Sequence, residues 1–277
     1  MEGHHAIDGL ALPLLADLGL YLAIGAAVGF FAGLLGIGGG ILIVSALVLS
    51  FASQGAPQEH IMHLAIGTSL AAMASGAFAS FRTHHRHGAV DWAVVKAMTP
   101  GLVAGMLAGV AVARLLPTAA LKGFFLAFMA YVTVQMVVGF KPEATRSLPG
   151  KAGLVGAGTF IGAVSSLFGG GAAAVGVPFL TWCGVQTHRA IGTCAALGFP
   201  LAIGGAFGYA LAGWSVAGLP APNLGFVYLP AFVGISLTSL LVAPYGARLA
   251  HRLRGDTLRR IFALFLVAMG VKVALAV

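Results

Sequence analysis

Leu34-Leu35-Gly36-Ile37-Gly38-Gly39-Gly40 stands inside an uncharged tract from Leu18 to Phe51, and Ser166-Leu167-Phe168-Gly169-Gly170-Gly171-Ala172 inside a second, from Ala152 to Cys183. A helix crosses the bilayer core with roughly 20 apolar residues, so each tract is too long for one helix and short for two. Three glycines in a row cost a helix interior about 3 kcal/mol relative to alanine. Each tract therefore reads as two half-helices joined by an unwound glycine turn. Such a turn survives at membrane depth only where protein buries it or it lines a cavity. Close packing by small residues is the competing explanation of the same glycines.

The rest of the chain points to the same setting. Hydrophobic residues fill 59% of the 277 positions and charged residues 8%, against about 25% charged in a soluble domain. Further apolar tracts run from Leu64 to Phe81, Ala97 to Ala113, Gly123 to Phe140, Ala190 to Ala212, Leu224 to Ala247 and Ile261 to Val271. Lipid leaves open sheet edges unsatisfied, and the tracts lack the two-residue alternation of a membrane barrel, so helices remain. The fold class expected is an all-α polytopic membrane protein, embedded in a lipid bilayer. The formal net charge of +8 would suit nucleic acid. Its basic residues, however, sit in short loops between apolar tracts, where membrane orientation explains them and no nucleic-acid partner is implied. Cys183 and Cys194 lie in or beside apolar helices without metal-ligand spacing, so packing accounts for them and neither metal nor cofactor follows. The start, Met1 to Leu18, has Glu2, Asp8 and Asp17 but no Lys or Arg, unlike a cleaved signal, and is expected to remain on the mature protein.

The glycine segments are one of two echoes between the halves. The other is H-x-A-I-G-T-[SC], read at His63-Leu64-Ala65-Ile66-Gly67-Thr68-Ser69 and at His188-Arg189-Ala190-Ile191-Gly192-Thr193-Cys194. The first echo is offset by 131 positions and the second by 125, a gapped repeat. Loop charge then gives direction, because short cytoplasmic loops hold the Lys and Arg. If each glycine-centred tract enters and leaves by one face, loops 82–96, 141–151, 182–189 and 247–260 share a face and collect 12 of the 15 basic residues. Single crossings would reduce that bias to six against eight, so charge favours hairpins. A hairpin plus three single crossings is an odd net number, which makes the two repeats inverted relative to one another. The expected division is an N-terminal segment 1–17, repeat 1 over 18–140, a cytoplasmic linker 141–151 and repeat 2 over 152–277.

Inverted-repeat transporters bind substrate near the midplane, where half-helix N-termini offer unpaired N–H groups to an anion. The glycine turns Gly38, Gly39, Gly40 and Gly169, Gly170, Gly171 would each launch a half-helix. The G-T-[SC] motifs add Thr68, Ser69, Thr193 and Cys194, expected near the start of the following helix, and Ser165 and Ser166 add two more donors. His63 and His188 are the other repeated polar pair and join the candidate substrate-binding set. Hydroxyls in membrane helices commonly bond back to their own backbone, which is the plainer explanation of each. His84, His85, Arg86 and His87 read as a basic cytoplasmic loop. Glu2, Asp8, Asp17, Glu59, Asp91, Glu143 and Asp256 all lie in termini, loops or loop margins, which removes the usual buried carboxylate relay and suits a negatively charged substrate. No G-x-x-x-x-G-K-[ST] loop is present, so ATP is not the direct driver.

Gly33-Leu34-Leu35-Gly36-Ile37-Gly38-Gly39-Gly40 followed by Ala65-Ile66-Gly67-Thr68-Ser69-Leu70 resembles the signature of the TauE/SafE sulfite exporter family, and a degenerate copy extends the resemblance over nearly the whole chain. The resemblance implies a secondary transporter of the bacterial or archaeal inner membrane that exports sulfite, an organosulfonate or a related small sulfur oxyanion. The second copy departs from the first, with Leu167-Phe168 in place of Gly36-Ile37 and Cys194 in place of Ser69, so one cradle is expected to dominate. A passive anion channel of the same architecture is the alternative. An intramembrane enzyme is disfavoured, because no Ser/His/acid or HExxH constellation lies within a helix. A homodimer stays open as the assembly.

Overall fold

The computed structural model describes residues 18–32, 39–138, 146–250 and 255–276. The elements are α1 (Leu18–Ala32), α2 (Gly40–Ser53), α3 (Ile61–Arg86), α4 (Trp92–Leu115), α5 (Thr118–Val138), α6 (Lys151–Phe168), α7 (Ala173–Trp182), α8 (Thr187–Gly213), a short hairpin of β1 (Asn223–Leu224) and β2 (Val227–Tyr228), α9 (Leu229–Ala250) and α10 (Gly255–Ala276). Six of these helices are long and apolar enough to cross a membrane, and the chain is an all-α, multi-pass membrane protein.

Both glycine-centred tracts are broken. α6 stops at Phe168, Gly169 takes the left-handed φ of 69° that glycine adopts without strain, and α7 begins at Ala173. In the first tract Gly39 is left-handed at φ 59° and launches α2 at Gly40. Gly38 and the residues 33–37 before it lie outside the described residues.

Each broken tract folds back on itself. Tyr21 in the first turn of α1 donates its hydroxyl to Gln54 Oε1 at 2.9 Å, one residue past α2. Arg146 N, ahead of α6, donates to Trp182 O at the end of α7 at 3.3 Å, and its guanidinium lies 4.7 Å from the Trp182 ring centroid. Each pair of half-helices thus begins and ends at one face.

Glycines set the packing between helices. A Cβ on Gly101, Gly105 or Gly109 of α4 would run into the backbone or side chains of α6, and one on Gly158 or Gly162 of α6 into the backbone of α4. The pairings advance together (Met98 with Gly158, Leu102 with Gly162, Gly109 with Ser166), so the two helices run parallel at backbone contact. α1 and α9 pack in the same parallel sense, through Gly25 on Ile235 and Gly29 on Ser239. α3 and α8 run antiparallel, with Gly67 beside Tyr209, Gly205 beside Leu70 and Phe78 5.3 Å from Phe199. α5 and α10 are antiparallel too, with Lys122 reaching Ala274 O and Met129 against Gly270.

Helix ends differ from the expected loops. α3 carries on through His84, His85 and Arg86 to its end, Lys96 lies in the second turn of α4, and Arg189 in the first turn of α8. Hydropathy marks only the part of a helix within hydrocarbon; basic side chains extend the helix to the interface with their charged heads in water.

Candidate functional site

The two glycine turns meet. A Cβ on Gly40 would lie 2.6 Å from Gly169 O and 2.7 Å from Gly170 Cα. Ser69 Oγ ties the turns together, donating toward Gly169 O at 3.0 Å and Gly40 O at 3.3 Å. α2 starts at this junction, with the partial positive charge of its leading N–H groups, α6 ends at it, and α7 starts three residues past Gly170. The turn after α6 is closed by Gly169 N and Gly170 N donating to Ser165 O. Glu59 and Asp91 both lie at helix ends away from it.

Four residues before Gly169, Ser165 is fully buried and its Oγ has no hydrogen-bond partner among the described residues. A buried hydroxyl left unpaired costs about 1–3 kcal/mol, which a ligand oxygen would offset. Ser166 is committed otherwise. Its Oγ donates back to Ala163 O at 2.8 Å, and its carbonyl accepts from the buried Tyr209 hydroxyl at 2.9 Å. Gly170 sits against the Phe168 ring, and Gly171 has Met73 Cε nearby. Phe168 stacks on Phe128 of α5.

The G-T-[SC] residues lie well inside their helices: Thr68 is the eighth residue of α3 and Thr193 the seventh of α8. The helices begin earlier than hydropathy marks, at Ile61 and Thr187. Both threonine hydroxyls accept from a backbone N–H, Thr68 Oγ1 from Tyr228 at 3.0 Å and Thr193 Oγ1 from Asp91 at 3.0 Å. The preceding glycines admit a backbone carbonyl of the same segments, Gly67 that of Phe226 and Gly192 that of Ala89. Cys194 is buried and packs on Gly176 of α7.

The two histidines part company. His63 is 4% exposed, bonded through Nε2 to Ala113 O at 2.9 Å and stacked 5.0 Å from Phe226, whereas His188 is exposed on the first turn of α8. His63 lines an open hollow of about 440 Å³ with His60, Glu59, Arg114 and Phe226, at the face opposite the arginine-rich helix ends. Of the candidate residues, the junction thus brings together Gly39, Gly40, Ser69, Ser165 and Gly169–Gly171; Thr68, Thr193, Cys194 and the histidines stand apart from it.

Sequence reading passed over Tyr209 and Tyr228, single residues with no repeat or spacing to mark them, and placed Asp91 only as a carboxylate at a loop margin. The α4–α6 contact did leave a signal, the i, i+4, i+8 glycines at 101, 105 and 109 facing the i, i+4 pair at 158 and 162.

Comparison with known proteins follows the same lines. A family described as "Sulfite exporter TauE/SafE" matches residues 21–273. A Haemophilus influenzae protein named "Probable membrane transporter protein" is 35% identical over 259 residues, covering 92% of this chain and 97% of its own. A Bacillus subtilis protein named "Probable membrane transporter protein YdhB" is 25% identical over 224 residues, covering 77% of this chain and 87% of its own. No solved structure matches the chain.

Proposed function

The chain belongs to the sulfite exporter TauE/SafE family, and from that premise we propose that this membrane transporter is a secondary carrier in the bacterial plasma membrane. It exports sulfite, an organosulfonate or a related small sulfur oxyanion by alternating access of a central site. The observation that carries this is the contact of the α2 N-terminus, at Gly40, with the Gly169–Gly170 turn that leads from α6 into α7, four residues after the Ser165 hydroxyl, which is unpaired among the described residues. Neutral N–H and O–H donors in a low-dielectric setting suit a compact oxyanion, whose charge the helix ends favour. A fixed cationic side chain at the site would hold such an anion more tightly; dipoles and hydroxyls let it leave.

Two inverted repeats fit the packing. Counterpart helices related by a two-fold axis in the membrane plane must run antiparallel where they touch, and an axis along the membrane normal would make them parallel. α3 against α8, and α5 against α10, are both antiparallel. Parallel contact of α4 with α6 likewise has its counterpart in α9 with α1. The hairpins then approach the junction from opposite faces.

Counterflow in proteoliposomes tests the reading. Sulfite uptake should saturate and accelerate when unlabelled sulfite is loaded on the far side. Uptake that stays linear with concentration and ignores the far side would make the protein a passive pathway and defeat the carrier mechanism.

A further inference from the structure

The segments that touch the two A-I-G-T motifs hold matching places in the chain. Phe226–Tyr228 leads directly into α9, Ala89–Asp91 leads directly into α4, and each of these helices is the one that follows the motif-bearing helix in its half. The contacts match as well. In each, the motif glycine admits a carbonyl, of Phe226 or Ala89, and the threonine beside it accepts the N–H two residues further on, of Tyr228 or Asp91. Each contact also joins opposite halves, α3 of the first to the approach to α9 in the second, and α8 of the second to the approach to α4 in the first. They lie at opposite faces, because α3 and α8 run antiparallel and both motifs sit in the first halves of their helices.

We propose that these two contacts are the gates of the carrier: Gly67–Thr68 on Phe226–Tyr228 closes the outer face, and Gly192–Thr193 on Ala89–Asp91 closes the inner, arginine-rich face. The proposal rests on the alternating-access reading above. A glycine against a carbonyl brings two backbones closer than any side chain allows, so the seam excludes solvent. A neutral hydrogen bond from a backbone N–H to a threonine hydroxyl spans each seam, so parting it strands no buried charge. The α4–α6 contact differs in kind, since it interlocks five glycines along its length and holds as one body. In this structure both seams are made, and Gly40, Ser69 and Ser165 between them are buried.

The gates are not alike. Asp91 also caps α4 through Oδ1, accepting from Ala93 N and Val94 N, and its Oδ2 lies 3.6 Å from Arg189 of α8. The outer seam has instead the His63 ring stacked on Phe226. Thr68, Thr193 and Arg189 are thus positioning residues: they set which face is closed and touch no substrate.

A single reporter cysteine, Gly171→Cys in a chain with Cys183→Ala and Cys194→Ser, reads access to the junction; a Cβ there meets only the flexible end of Met73 at 3.3 Å. An impermeant maleimide is added to whole cells or to inside-out vesicles, with no sulfite present. Thr68→Val should raise the outside-to-inside labelling ratio about tenfold, and Thr193→Val should lower it by a similar factor. Arg189→Gln should lower it about threefold, since that pair is half exposed. Thr68→Ser and Thr193→Ser keep the acceptor and should keep the parent ratio. An unmoved ratio in the valine variants, or movement of both in one direction, overturns the gates. Arg189→Gln changes an exposed side chain and serves where a valine variant fails to insert; an unmoved ratio there overturns the inner gate. Opposite shifts in a chain that carries no sulfite would sink the substrate reading and leave the gates standing.

Discussion

A methyl group on Gly40 would sit 2.6 Å from Gly169 O and 2.7 Å from Gly170 Cα, closer than real Cβ contacts come, and unlike the Met73 side chain these backbone atoms cannot swing aside. Gly40→Ala should therefore push the two turns apart and abolish sulfite counterflow, while α2 itself, gaining a better helix former, stays folded. Wild-type counterflow rates in that variant would remove the junction from the transport path. Ser165→Ala makes the opposite kind of change, taking away a hydroxyl that has no partner among the described residues. Stability should hold or rise by about 1 kcal/mol, because the desolvation penalty of the unpaired group disappears. If the hydroxyl serves the substrate, KM for sulfite rises several-fold in the same variant; an unchanged KM would assign Ser165 to packing alone. At this scale the sequence was an uneven guide. His63 and His188 share a motif position, yet one lies beneath Phe226 and the other faces solvent, because burial depends on what the other half lays over a helix. Thr68 and Thr193 were legible as a pair, but whether a hydroxyl gives or takes a hydrogen bond is decided by a partner 160 or 102 residues away.

Between elements, glycine spacing carries the information that hydropathy does not. Both broken tracts could be read from composition, since helices tolerate three consecutive glycines poorly and a tract longer than one crossing must turn. Helix ends could not, because polar turns beyond the hydrocarbon look like loops, as at His84–Arg86. The α4–α6 seam supplies an element-scale prediction. Gly105→Leu places a branched side chain against the Thr159 backbone and should cost about 3 kcal/mol or more, seen as a lower melting temperature and poor insertion. Gly123→Ala on α5, where a Cβ meets nothing within 4 Å, should leave both measures unchanged. Equal behaviour of the two variants would mean that the seam does not hold these helices together.

Taken whole, the molecule has direction because its charges do. The ends of α3 and α9 and the starts of α6 and α8 carry Arg82, Arg86, Arg248, Lys151 and Arg189, and on the bias of basic residues we propose that this face is the cytoplasmic one. Ser147→Cys, ahead of α6, should then react only in inside-out vesicles, and Ser215→Cys, beyond α8, only in whole cells; both serines are exposed. Reaction of both from one side would break the opposed-hairpin arrangement. At this scale the meeting of the hairpins was expected, but the atoms that touch were not legible, since they depend on helix tilt and close backbone contact rather than on hydropathy. That meeting of the α2 N-terminus with the Gly169–Gly170 turn, which we propose as the anion site, is best tested by the melting temperature of the purified protein across a sulfite series. Ligand that binds only the folded state raises that temperature by mass action. The expected result is a rise in the parent chain that vanishes in Gly40→Ala; an equal rise in both would place sulfite somewhere other than the glycine junction.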